Sequence, residues 1–272
     1  MSGILERSLT VLETLASHPE GCSLSSLASA ANMPPSGAHR LLVELTRCGY
    51  VRQHRDHGEY VLTIKLVSLG LNFLSRSGVA DVAQPLLDRL AAISSELVRL
   101  AVVDGRELVF VAKAQGATGA LRYDPDMGLS VPLSCSAAGH AWLSTLSEDE
   151  ALEMVARQGF GAPEAYGPKA PTTVKALLPY LRRAHERGFS MIVEVFAPGM
   201  SAMSAAVRVA NGKVVGVVTI AGPVFRLTES RMLALGPELV ATAAQIGYSS
   251  GGSPFFRKRS GDESSDSAPA WR

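Results

Sequence analysis

In residues 4–17 the apolar side chains Leu5, Leu9, Leu12 and Ala16 recur at spacings of three and four, which predicts a helix with one inward stripe. His18-Pro19-Glu20-Gly21 ends it. Ser23 has the chemistry of an N-cap for a second short helix with Leu24, Leu27, Ala28 and Ala31 facing inward, and Asn32-Met33-Pro34 is a tight break. A third helix follows, with Ser36 near its start, Ala38, Leu41, Leu42 and Leu45 at i, i+3, i+4 and i+7, and an end near Gly49. Tyr50–Gln53 and Glu59–Leu62 then predict two strands around a loop rich in His, Asp and Gly. Two short helices, a tight turn between them and a trailing hairpin describe a winged helix-turn-helix.

Residues 64–78 predict a helix broken at Gly78, followed by another over 82–97. The apolar face of this pair, including Leu66, Leu69, Phe73 and Leu74, is wide enough to expect burial against a second subunit. From about residue 100 the period shifts to two. LAVVD and ELVFVAKAQ flank a Gly105-Arg106 turn, ALRYD reads as a further strand, and SAAVRVA and KVVGVVTIAG flank Asn211-Gly212, a strong hairpin signal. Helices are predicted at about 136–146, 148–157, 173–187 and 228–247. Strands joined by tight turns and interrupted by helices predict an α+β domain with an antiparallel sheet. The resulting division is 1–63 for the winged helix, 64–78 for a linker helix, 79–248 for the sheet domain and 249–272 for a tail. That tail holds 7 Ser, 3 Gly and 2 Pro in 24 residues and is expected to be disordered.

Composition narrows the function classes. The 272 residues are 47% hydrophobic and 19% charged, a globular balance, and a net charge of +1 excludes a nucleic-acid binder that works by bulk charge. Three cysteines, Cys22, Cys48 and Cys135, form neither a CxxC pair nor an even disulfide set, so neither a metal site nor a disulfide framework is expected. With no apolar run of membrane length and Glu6 and Arg7 near the start, a reducing cytoplasm is the expected location. Across residues 1–70 six Lys/Arg balance six Asp/Glu. Within 33–57, however, Arg40, Arg47, Arg52 and Arg55 oppose only Glu44 and Asp56, and His39, His54 and His57 add proton-dependent charge. The excess sits on the third helix and the hairpin, where groove and phosphate contacts are made; an ordinary solvated face would look similar.

Several of these segments resemble the IclR family of bacterial transcriptional regulators. In the first domain the resemblance lies in Pro34-x-Ser36-x-Ala38-His39-Arg40-Leu41-Leu42 and Gly49-Tyr50-Val51. In the second it lies in Leu90-Ala91 through Val102-x-Asp104-Gly105, Pro132-Leu133 through Ala138-Gly139, Glu194 through Gly199, and Val218-x-Ile220-x-Gly222-Pro223 with Phe225-Arg226-Leu227-Thr228. It covers roughly 4–248, in order. It implies a homodimer, or a dimer of dimers, whose third helices enter successive major grooves of a palindromic operator. One short helix buries too little surface for operator-level affinity, so the physics agrees.

Ser36, Gly37, His39 and Arg40 are then expected at the groove, Arg40 pairing with a guanine or clamping a phosphate, while Arg47, Arg52 and Arg55 position the backbone. Pro35 and Gly37 depart from the basic residue and Thr common in relatives, which leaves the operator sequence open. The resemblance further implies a GAF-like sensor domain with a pocket for a small organic acid, drawing on Tyr123, Val131, Ser136, Ala137, Ala138, Ile192, Ala202, Thr219 and Ala221. Members that bind small keto acids carry an acidic residue, a cysteine and two hydroxyls at the positions of Ile192, Ala202, Thr219 and Ala221, of which only Thr219 keeps a hydroxyl here. A pocket with fewer polar partners favours an acid with an aromatic or branched apolar body, its polar end held by Tyr123, Thr219 and backbone N–H groups near Ala137-Ala138. The alternative is that these residues are core positions beneath a shallower pocket.

Two other functions remain open at this stage. Ser134-Cys135-Ser136 with His140 would give an enzyme a nucleophile and a base, Ser136 and His140 sharing a helix face at i, i+4; a helix N-cap explains the hydroxyls more simply, and neither GxSxG nor HExxH occurs. A winged helix can also dock proteins instead of DNA. No cofactor is implied, and a regulator of a catabolic operon, without enzymatic activity, is the expectation.

Overall fold

The computed structural model describes residues 3–54, 58–119, 122–125, 127–128 and 130–249. Arg55, and the tail beyond Ser249, lie outside them. The chain divides into two compact units, residues 1–74 and 75–272, and the division falls within one helix.

The first unit contains α1 (Ile4–Ala16), α2 (Leu24–Ala30), α3 (Pro35–Arg47), β1 (Val51–Gln53) and β2 (Tyr60–Leu62), and α4 (Ile64–Ser77) begins in it. Ser23 caps α2 by accepting from the Ser26 amide at 3.2 Å. The turn into α3 is closed by the Met33 amide donating to the Ala28 carbonyl at 3.0 Å, with Asn32 in the left-handed region at φ 47°. Pro35 occupies the first turn of α3, where its missing N–H costs no helical bond. β1 and β2 pair antiparallel with Arg52 opposite Val61, and Cys22 adds a bridge to Tyr60. Val11, Leu15, Leu27, Leu41, Leu42, Val51 and Tyr60 form the core.

One stripe differs from the expectation. Leu5 and Leu9 are 70% and 50% exposed, and Ala16 is exposed too, whereas Val11 and Leu15 are buried. The core built by α2, α3 and the hairpin meets α1 along its second half, so the apolar residues of its first half stay largely exposed among the described residues.

The second unit contains α5 (Val79–Ser94), β3 (Leu97–Asp104), β4 (Glu107–Gln115), α6 (Ala137–Leu143), α7 (Glu148–Gln158), α8 (Val174–Arg187), β5 (Ser190–Val193), β6 (Met200–Arg208), β7 (Val214–Pro223) and α9 (Glu229–Ser249). The strands form one antiparallel sheet in the order β4-β3-β7-β6-β5. Period-two alternation sorts its side chains. Val98, Leu100, Met203, Ala205 and Ile220 pack with Leu87 and Leu90 of α5 and Leu239 and Ile246 of α9. On the other face Ala101, Phe110 and Val217 pack with Ala138 and Trp142 of α6 and Leu177 and Leu181 of α8. The fold is thus α+β, with a winged helix-turn-helix and an antiparallel-sheet domain.

Three elements were misjudged from pattern alone. β3 starts at Leu97, three residues before the strand read from the sequence; β5, four residues long, gave too short an alternation to read; and the described part of ALRYD, residues 122–124, is irregular. The Gln115 side-chain amide donates to the Tyr123 carbonyl at 3.1 Å and ties this segment to the end of β4.

Candidate functional site: a polar helix face and a buried cavity

On α3 the buried residues Ala38, Leu41 and Leu42 leave Ser36, His39, Arg40, Val43 and Arg47 exposed, with Gly37 half-buried. Ser36, Arg40, Val43 and Arg47 are spaced i, i+4, i+7, i+11 and therefore form one stripe along the helix. Arg40 makes no ion pair among the described residues, whereas Arg47 places Nε and Nη2 on Glu44 Oε2 at 3.0 and 2.8 Å. That hydrogen bond holds the Arg47 guanidinium above its ordinary pKa, and the pair is solvent-exposed, so it contributes little to stability. Arg52 is exposed on β1. Lys65 donates to the Cys48 carbonyl at 2.6 Å and covers the Tyr50 ring at 4.6 Å, a cation at the C-terminal end of α3. Val43, half exposed in the middle of the polar stripe, was not singled out from the sequence; only the helical phase of Ser36 and Arg40 marks it.

The second unit holds a cavity of about 180 Å³. All nine residues proposed for the pocket line it: Tyr123, Val131, Ser136, Ala137, Ala138, Ile192, Ala202, Thr219 and Ala221. They come from β5, β6, β7, the start of α6 and the irregular segments on either side of residue 130. α6 is brought close by Gly139, where an added Cβ would lie 2.3 Å from the Leu133 carbonyl oxygen.

The hydroxyls of this set are already engaged. Thr219 Oγ1 and Ser204 Oγ share a hydrogen bond of 2.8 Å, and Ser136 Oγ donates to the Pro132 carbonyl at 2.5 Å while accepting from the Gly139 amide at 2.9 Å. Ile192, Ala202 and Ala221 leave the cavity with few polar partners of their own, yet it holds a charged group. Arg99 lines it, only 7% exposed, its guanidinium carbon 3.7 Å from the Phe110 ring centroid and 6.0 Å from that of Tyr123. Burial draws this guanidinium below its ordinary pKa, opposed by the Tyr123 hydroxyl and Asp124.

Three buried polar atoms lack a hydrogen-bond partner among the described residues, Arg99 Nε, Ser201 Oγ and His140 Nδ1, and the first two belong to cavity-lining residues. Arg226 shows how the same unit treats another arginine. Its Nε and Nη2 meet Glu96, 1% exposed, at 2.7 and 2.9 Å. Among the described residues Arg99 makes no such ion pair, although burying an unpaired charge is costly. Its signal in the sequence is a lone arginine inside LVRLAVV, and starting the strand at Leu100 cut it off.

The residues of the enzyme alternative have other partners. His140 Nε2 bonds the Ser134 carbonyl at 2.7 Å, its ring lies 5.2 Å from that of Tyr180, and burial pulls its pKa down to about 4. Burial pushes the Cys135 thiol up to about 11, which leaves it protonated at neutral pH. None of the described hydrogen bonds joins the Ser136 hydroxyl to His140. Among the described residues no group of three or more His, Cys, Asp or Glu could hold a metal ion, and no helix is long and apolar enough to cross a membrane.

Comparison with known proteins decides the relationship. Residues 4–55 match the IclR helix-turn-helix domain and residues 71–248 match the bacterial transcriptional regulator IclR C-terminal domain. The chain belongs to the IclR family. It is 29% identical over 250 residues to the HTH-type transcriptional repressor AllR of Salmonella typhi, covering 92% of this chain and 90% of that one. To the transcriptional repressor IclR of Escherichia coli K12 it is 28% identical over 250 residues, with 91% and 90% covered. The crystal structure of Thermotoga maritima IclR matches with a TM-score of 0.71 at 26% identity, covering 89% of this chain and 96% of that one. An IclR homolog from Microbacterium hydrocarbonoxydans, crystallised with 4-hydroxybenzoate, shares the fold with a TM-score of 0.77 at 22% identity, covering 92% and 100%. Membership in the IclR family makes the protein a transcriptional regulator with a DNA-binding helix-turn-helix.

Proposed function

We propose that this IclR-family protein is a ligand-responsive regulator of a catabolic operon, bound to a palindromic operator as a dimer or dimer of dimers in the cytoplasm. Its effector is a small organic acid with an aromatic or branched apolar body. The observation that carries the reading is the cavity, where Val131, Ile192, Ala202 and Ala221 supply apolar wall and Arg99 a buried cation. That the same fold in Microbacterium hydrocarbonoxydans holds 4-hydroxybenzoate supports an aromatic occupant.

At the DNA, Ser36, Gly37, His39 and Arg40 face the groove, and Arg40, in no ion pair among the described residues, reads a guanine or clamps a phosphate. Val43 beside it offers a methyl contact to thymine. Arg47 and Arg52, with Arg55 outside the described residues, hold the phosphate backbone. Self-association is favoured by apolar side chains exposed on the first unit: Ile4, Leu5 and Leu9 on α1, and Ile64, Leu69 and Leu71 on α4, each at least half exposed. The test is a gel-shift titration with DNA from upstream of the protein's own gene and its neighbours, paired with native mass measurement. Selective retention of one fragment by an even-numbered assembly is expected; equal retention of unrelated DNA, or a monomer on the operator, contradicts the reading.

A further inference from the structure

We propose that Arg99 is the carboxylate-recognition group of the cavity, so that the protein selects aromatic acids by their charge as well as by their ring. This rests on the effector reading above and deepens it. The guanidinium lies against the Phe110 ring at 3.7 Å, an arrangement that occupies one of its flat faces and leaves its N–H donors in the plane of the group. Of these, Nε finds no acceptor among the described residues, although the residue is only 7% exposed. The Tyr123 hydroxyl is close enough to hydrogen-bond the guanidinium and favours its charged form, but it carries no charge at neutral pH and leaves Nε without an acceptor among the described residues. The carboxylate of Asp124 also stands near enough to favour that charge, yet it is committed to Lys113 at 2.5 Å.

Arg99 thus remains a buried cation aimed along a cavity wall, with an open donor and a stacked face. A carboxylate in the plane of the group completes it, because Nε and an Nη together match the two oxygens. The register explains how the ring of such a ligand is placed. Arg99 pairs with Thr219 across β3 and β7, and Ala221, two residues further along β7, pairs with Ala202 of β6, which in turn pairs with Ile192 of β5. An acid held at Arg99 therefore extends its body over small apolar side chains, where a ring displaces water that a two-carbon keto acid would leave in place.

The experiment is isothermal titration of the full chain with benzoate, 4-hydroxybenzoate and phenylacetate, each beside its uncharged carboxamide. Charge-assisted hydrogen bonds predict that the wild type prefers acid over amide by about 10- to 150-fold. In Arg99→Met the preference is expected to fall to within a few-fold, through loss of acid affinity with little change for the amide. Arg99→Lys keeps the charge without the planar fork, so it should retain a reduced preference and serves if the Met variant does not fold. A variant that keeps the full wild-type preference overturns the role of Arg99 while leaving the effector reading intact. A wild type that binds no acid of the panel overturns both.

Discussion

The α3 face and the sheet-domain cavity solve opposite problems with the same side chain. On α3 the arginines stand in water, where a charge costs little and an ion pair such as Arg47–Glu44 adds little, so their value lies in being free to meet a phosphate or a base edge. In the cavity Arg99 sits 7% exposed with Nε unpartnered among the described residues, a state that a protein tolerates only at a cost to its own stability. Exposed charge buys rate and affinity cheaply, whereas concealed charge supplies discrimination. The two regions should therefore respond differently to mutation.

The largest effect is expected where the cavity is most tightly built. Gly139→Ala puts a Cβ 2.3 Å from the backbone oxygen of Leu133, and thermal or urea unfolding should show a loss of about 3 kcal/mol or more. Gly37→Ala on α3 meets only the flexible end of Met33 at 3.2 Å, so it should leave stability unchanged or raise it by up to about 1 kcal/mol. Equal losses at the two glycines would erase the distinction between a packed wall and an open face.

His140 extends the contrast to pH. Burial lowers its folded-state pKa to about 4, below the unfolded value, so only the unfolded chain takes up this proton between roughly pH 6.5 and pH 4. The stabilisation it gives is present above pH 6.5 and is lost as pH falls through that window, by about 1.4 kcal/mol per pH unit at the steepest. His140→Gln keeps a donor for the Ser134 carbonyl and does not titrate, so urea midpoints at pH 7 and pH 5 should lie closer together in the variant than in the wild type. An unchanged gap would mean that the acid sensitivity lies elsewhere.

The α3 face should show its effects in DNA binding alone. Arg40→Ala is expected to weaken operator binding by about 1–3 kcal/mol with no change in melting temperature, checked by gel shift and calorimetry. The smallest effect belongs to Arg47→Ala: already paired with Glu44, it should weaken all sequences alike and reduce the salt slope by about one phosphate's worth or less. A sequence-selective loss at Arg47 larger than that at Arg40 would reverse their roles.

The same contrast explains what could be read from the chain. The helix-turn-helix is a local object: Ser23, the Asn32 turn, Pro35 and the spacing of Ala38, Leu41 and Leu42 all fall within twenty-five residues, so pattern alone outlined it. The cavity gathers residues almost a hundred positions apart, from Tyr123 to Ala221, and no periodicity announces that they meet; the family resemblance supplied those nine. Arg99 escaped both routes, because its strand was started three residues too late and its importance depends on what it lacks in three dimensions. The stripe on α1 was misassigned because helical phase says which side chains lie together and not how far the neighbouring core extends.

The central claim, that an aromatic acid in the cavity changes the grip of α3 on DNA, is tested most directly by fluorescence anisotropy of a labelled operator fragment at half-saturating protein. Titration with 4-hydroxybenzoate and benzoate should shift the bound fraction at micromolar to millimolar concentration, while glyoxylate and pyruvate over the same range leave it unchanged. A shift with glyoxylate or pyruvate and none with any aromatic acid would contradict the account.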